Sequence, residues 1–237
     1  MNTKQLTYKE GLKDGLPIGL GYFSISFGFG ITAVTLGIKA IYAILISMTN
    51  LTSAGQVAGL NVIAAAGTMI EMALTQFVIN LRYSLMGIAL SQNLKSGYSI
   101  FHRFLSSFFI TDEIFAVAML KKLPVTPSYM YGLATLPYIG WALGTVFGAL
   151  AGNILPLSVT SALGIAIYGM FIAIVVPPAK KDYGVLLSVL ISVAIGCCIK
   201  YIPVLQFITP GFAIIISALS AALIAAWIKP LEEDYDE

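Results

Sequence analysis

Long stretches of this chain carry no charge. Asp, Glu, Lys and Arg are absent from Gly15 to Ile38, Ala40 to Ile70, Leu123 to Ala179, Tyr183 to Ile199 and Tyr201 to Ile228, and a membrane-spanning helix needs roughly 17–25 apolar residues. The run from Leu123 to Ala179 must hold two spans, because one helix of that length at about 1.5 Å per residue would far exceed a hydrocarbon core of about 30 Å. Gly152, Asn153 and Pro156 supply the turn between them. None of the runs alternates apolar and polar residues as a barrel strand does. The pattern predicts an all-α, polytopic bundle with segments at 16–36, 41–65, 69–90, 104–120, 129–151, 158–176, 184–200 and 209–228. Asn50, Thr52, Ser53, Gly55, Gln56, Gly59 and Asn61 crowd the middle of the second segment, a composition that suits a broken helix or re-entrant hairpin better than a continuous lipid-facing one.

The cations weigh two topologies against each other. If the second segment crosses and the N-terminus is cytoplasmic, Lys4, Lys9, Lys13, Lys121, Lys122, Lys180, Lys181 and Lys229 lie inside, while Lys39, Lys95, Arg103 and Lys200 lie outside. If it enters and returns, the later loops flip and the bias disappears. The first arrangement, eight spans with both ends inside, is preferred over seven. It divides the chain into a cytoplasmic N-terminal segment (1–14), a single transmembrane domain (15–229) and an acidic tail (230–237). An echo at an offset of 120 residues relates Leu16-Pro17, Gly19, Gly21, Gly28 and Gly30 to Leu136-Pro137, Gly140, Gly144 and Gly148. An internal duplication would produce it, and so would glycine at helix-packing spacing.

Composition narrows the class further. Of 237 residues, 58% are hydrophobic and only 10% are charged, where a soluble domain carries about 25% charge; so few charges cannot cover a soluble surface. The net charge of +2 includes no basic block, so nothing points to nucleic acid. The first apolar run is too long for a signal-peptide core and reads as a retained span. Cys197 and Cys198, adjacent in an apolar segment, read as core packing and not as a disulfide or zinc site. No phosphate-cradling glycine loop, no HExxH and no paired Ser and His within the spans occur, so no cofactor and no enzyme activity are implied.

Four ionisable residues fall inside or at the margin of the spans: Glu71, Arg82, Asp112 and Glu113. Each costs about 2.5–3.5 kcal/mol on insertion scales and so asks for a reason. On the third segment Glu71, Thr75 and Arg82 share one face, while Gln76, Asn80, Tyr83 and Gly87 form a second polar stripe, which predicts a helix surrounded by the bundle. Glu71 is near the start of its span and within reach of the headgroups. Adjacent acids on a helix point about 100° apart, so at most one of Asp112 and Glu113 meets Arg82 directly. The other is left to bind a substrate ammonium or hold a proton; the rival reading is an ion pair that only holds the bundle together. His102, beside Arg103, reads as a surface loop residue.

Three pieces carry a resemblance: Thr49-Asn50-Leu51-Thr52-Ser53-Ala54-Gly55-Gln56, then Asn80-Leu81-Arg82-Tyr83-Ser84-Leu85-Met86-Gly87, then Thr111-Asp112-Glu113-Ile114-Phe115-Ala116. In this order and spacing, with Gly15-Leu16-Pro17 near the N-terminus, the chain resembles the AzlC family, the large subunits of branched-chain amino acid exporters. Many members have Ala-Gly before the pair preceding Gln56, where this chain has Thr52-Ser53. The resemblance implies ion-gradient-driven export of leucine, isoleucine, valine and analogues across the bacterial cytoplasmic membrane, together with a small membrane subunit of the AzlD type. Assembly with further copies of the chain is left open.

A zwitterionic amino acid needs a cation for its carboxylate, an anion or carbonyls for its ammonium, and an apolar socket. Arg82 with Asn80, Asp112 or Glu113, and Leu, Ile and Phe-rich walls fill these roles. Gln56, at a helix break, adds freed backbone groups; Glu71, Gln76 and Ser53 are secondary candidates. The alternatives are a transporter of another small amino acid or analogue, and a structural or regulatory membrane subunit without its own path.

Overall fold

The computed structural model describes residues 5–152, 154, 158, 169, 172 and 175–229. Most of the sixth expected segment and the acidic tail lie outside the described residues. Among them the regular secondary structure is helical, apart from one isolated bridge between Leu94 and Val125.

Helix α1 (Tyr8–Thr35) begins eight residues before its expected span, so the 1–14 segment is partly helical. The cause is a capping box: the Thr7 hydroxyl accepts from the Glu10 N–H at 3.3 Å, and the Glu10 carboxylate accepts from the Thr7 N–H at 2.8 Å. Helix α7 (Pro127–Ala151) starts from a Thr126 cap with Pro127 in its first turn. The two helices run parallel in backbone contact. A Cβ on Gly132 would lie 2.1 Å from the Tyr8 carbonyl, one on Gly140 2.2 Å from that of Gly19, and one on Gly148 2.0 Å from that of Phe27. Of the echoing glycines, Gly19, Gly30, Gly140, Gly144 and Gly148 thus belong to one interface, whose register advances in step along both helices, while Gly21 faces open space.

Between this pair the chain makes two hairpins that do not cross. Helix α2 (Ala40–Thr49) comes down from the end of α1 along α7. Ser47 hydrogen-bonds Thr145 at 2.7 Å, the Tyr138 hydroxyl donates to the Met48 carbonyl at 2.9 Å, and Leu51 packs with Tyr22 and Trp141 at mid-depth. Helix α3 (Ala54–Ala64) then climbs back antiparallel to α4 (Met69–Gln92): Gly55 lies beside Gln76 and Asn80, Gly59 beside Met72, and Gly67 beside Glu71. Helix α4 crosses, ending where the Lys95 N–H donates to the Val125 carbonyl at the start of α7.

The second hairpin enters from that opposite face. Helix α5 (Ile100–Ser107) rises past Tyr131, which hydrogen-bonds His102 at 2.7 Å, toward Tyr138, whose ring stacks edge-on with Phe109. Helix α6 (Asp112–Met119) descends again beside α1, from Thr111 against Tyr22 to Lys121 paired with Asp14 at 2.6 Å. One spanning helix followed by one returning hairpin therefore occurs twice, in opposite orientation.

The all-α, polytopic class holds, and the second segment is broken. The preferred crossing of the second and fourth segments does not hold, because arms of eight to eleven residues at about 1.5 Å each cover only about half of a 30 Å core. Five helices among the described residues are long and apolar enough to span: α1, α4, α7, α8 (Tyr183–Tyr201) and α9 (Pro210–Ile228). The last two form an antiparallel pair docked at the start of α4, with Lys229 closing on Asp182 at 3.7 Å at the far end.

Two hairpins in place of two crossings also sharpen the charge bias. Lys9, Lys13, Lys95, Arg103, Lys121, Lys122, Lys180, Lys181 and Lys229 now share one face, against Lys39 and Lys200 on the other. Two packing expectations are corrected. Cys197 and Cys198 are exposed on the outward side of α8, not in a core. Helix α4 is not enclosed, because α3 and α9 cover only its first half; Ile70, Leu74, Phe77, Leu81, Leu85 and Ile88 form an exposed stripe.

Candidate functional site

The two hairpin tips meet at mid-depth beside the centre of α4, and a cavity of about 220 Å³ lies between them. That is the space of roughly seven waters at about 30 Å³ each. Tyr22, Leu51, Ser53, Ala54, Arg82, Tyr83, Thr111, Asp112, Glu113, Trp141 and Val175 line it.

Local chemistry shapes each tip. At the first, the Asn50 side chain accepts the Thr52 N–H at 3.1 Å, and Ser53 sits at φ +48°, a strained backbone for a residue with a Cβ. The Gln56 amide donates to the Ile46 and Asn50 carbonyls at the end of α2, tying the two arms together. Gln76 of α4 donates to the Gly55 carbonyl at 2.8 Å, and Asn80 donates to Gln76 at 3.2 Å. At the second tip Thr111 caps α6 by accepting the Ile114 N–H. Asp112 and Glu113 follow in the first turn, where the helix dipole favours negative charge.

The charges divide as two adjacent acids must. Arg82 Nη1 pairs with Asp112 at 2.8 Å, its Nη2 donates to the Tyr83 hydroxyl at 3.2 Å, and the guanidinium lies over the Tyr83 ring. Glu113 points the other way and accepts from the Tyr22 hydroxyl, which also lies 2.6 Å from Thr111 Oγ1. The pair Arg82–Asp112 is charge-neutral, so Glu113 is the acid of the cavity with no cation paired to it among the described residues. The side chains of Arg82 and Asp112 are 40% and 35% exposed, so this pair borders open space at mid-depth.

Of the sequence candidates, the fold brings Arg82, Asp112, Glu113 and Ser53 to the cavity wall. Gln56, Gln76 and Asn80 stand behind the first tip and bind backbone or one another. Glu71 is elsewhere: eleven residues up α4, about 16 Å along the axis, it is 1% exposed and accepts from the Gly211 N–H at 2.8 Å and the Thr209 hydroxyl. It caps α9 instead of reaching headgroups. Tyr22 and Trp141 were not singled out by the sequence; each lies in an uncharged run of α1 or α7, and only the packing of that pair turns them into the cavity. Among the described residues the apolar wall is Leu51, Ala54, Val175 and aromatic rings.

The AzlC protein family matches residues 17–155, more than half of the chain and, among the described residues, all of the cavity wall but Val175. This chain belongs to the AzlC family. An AzlC-family relative, the inner membrane protein YgaZ of Escherichia coli, is 28% identical over 93% of this chain and 92% of its own length. A membrane protein of Archaeoglobus fulgidus is 28% identical over 95% of this chain and 97% of its own. The branched-chain amino acid transport protein AzlC of Bacillus subtilis is 24% identical over 92% of this chain and 84% of its own. No solved structure matches.

Proposed function

We propose that this chain is a secondary active exporter of leucine, isoleucine, valine and close analogues, and the large subunit of a two-component permease in the bacterial cytoplasmic membrane. The observation that carries the reading is the mid-depth cavity held between two hairpins that enter from opposite faces. Each hairpin, moving separately, opens the cavity to its own side, which is what alternating access requires. The cavity's volume suits a single small amino acid, and its leucine, valine and aromatic wall suits an aliphatic side chain. The name of the Bacillus subtilis relative points to the same substrate class. By the positive-inside rule the face carrying nine cations is cytoplasmic. The small partner follows from the family resemblance, with the exposed apolar stripe of α4 as a surface available to it.

The test is leucine efflux from preloaded cells. Arg82→Ala leaves Asp112 unpaired at mid-depth, and Asp112→Asn leaves Arg82 unpaired. Both abolish efflux while the protein still accumulates in the membrane. Normal efflux by both variants removes the proposed site. Competition by a panel of unlabelled amino acids fixes the substrate range. Reconstitution with and without the small partner separates a transporter from a scaffold, which gives no flux in either case.

A further inference from the structure

A zwitterion has two ends, and Glu113 accounts for one. Arg82 is the obvious partner for a carboxylate, yet it is already engaged by Asp112 and Tyr83. Among the described residues of the wall, two other polar atoms are not engaged. Ser53 Oγ and Trp141 Nε1 are buried without a hydrogen-bond partner, and both residues line the cavity. Trp141 is only 2% exposed, and an indole nitrogen is a donor with no accepting capacity. Leaving it unmet is unfavourable, and only an acceptor meets it.

The helix ends make the same distinction. Both α3 and α6 start at the cavity, with their partial positive charge directed into it. The first turn of α6 carries two carboxylates and that of α3 carries none. An anion is therefore disfavoured at the second tip and unopposed at the first, where Ala54 opens α3 on the cavity wall beside Ser53.

We infer that the first hairpin holds the substrate carboxylate, through Trp141 Nε1–H, Ser53 Oγ–H and the start of α3, while Glu113 on the second hairpin takes the ammonium. This rests on the amino-acid reading of the cavity and adds its polarity and two recognition residues. Arg82 is then a positioning residue: it neutralises Asp112, so that Glu113 presents the single net charge. A bound amino acid bridges hairpins rooted in opposite faces, and a ligand lacking either end engages only one of them.

Binding of leucine and of isoamylamine to the purified protein, at about pH 6 so that both amines are protonated, tests this. Isoamylamine keeps the ammonium and side chain and lacks the carboxylate, with no carbonyl left to accept in its place. Trp141→Phe, which removes the N–H and keeps a ring, and Ser53→Ala each weaken leucine binding roughly tenfold. Both change isoamylamine binding by less than about twofold, whereas Glu113→Gln weakens both ligands. Equal losses for leucine and isoamylamine in Trp141→Phe and Ser53→Ala mean that these residues only shape the cavity, and overturn the assignment. Unchanged leucine binding in both variants overturns it as well. Wild-type protein that binds neither leucine nor any other amino acid overturns the amino-acid reading itself, and the assignment with it.

Discussion

At the scale of single residues, Gln56 and Arg82 show two ways in which this protein holds a polar side chain at mid-depth. Gln56 is the clearest structural case: fully buried, it spends its amide N–H groups on the Ile46 and Asn50 carbonyls, which the end of α2 leaves without helical donors. Gln56→Met keeps the size and removes both donors. It is expected to lower stability by about 1–3 kcal/mol, the range for stranding buried polar groups, read as a lower thermal unfolding midpoint in detergent. A midpoint equal to wild type would mean the tip is held by other contacts. Arg82 is the contrasting case, half-exposed and joined to one acid. The sequence showed that one acid at most would meet it; that Asp112 does so, and Glu113 turns to Tyr22, depended on how α6 rotates against α1 and α4.

At the scale of elements, the α1–α7 pair is the frame on which both hairpins hang. Its backbones touch because glycines on each helix leave room for the carbonyls of the other. Gly140→Leu forces a side chain into the Gly19 backbone, and is expected to destabilise the protein by about 3 kcal/mol, the upper end for overpacking. Gly21→Leu, on the same pair but facing open space, leaves the unfolding midpoint near that of wild type. Thermal unfolding of both variants checks the interface, and equal behaviour would argue against it. The glycine echo was legible in the sequence, but its meaning was not: repetition along the chain cannot tell two similar helices from two helices that pack on each other.

At the scale of the molecule, the two hairpins decide the topology. With Cys197 and Cys198 replaced by serine, single cysteines at Lys39 and Ala66 are expected to react with a membrane-impermeant maleimide from the same side. Cysteines at Lys95 and Lys122 are expected to react from the opposite side. If either segment crossed, the two members of its pair would react from different sides. The break in the second segment could be read from its polar residues. The break in the fourth could not, because Phe108, Phe109 and Ile110 at its tip are apolar and Thr111 reads as any helix residue until its capping role is seen.

The sequence alone determined that the chain is helical and membrane-embedded, that Arg82, Asp112 and Glu113 need a protein or water environment, and that the second segment is irregular. These follow from transfer energies and periodicity, which are properties of each segment by itself. Only the tertiary structure decided which segments cross, which polar residues share a cavity, and that Tyr22 and Trp141 complete its wall. Direction of return and convergence of side chains depend on how one helix packs against another, and no single segment carries that information.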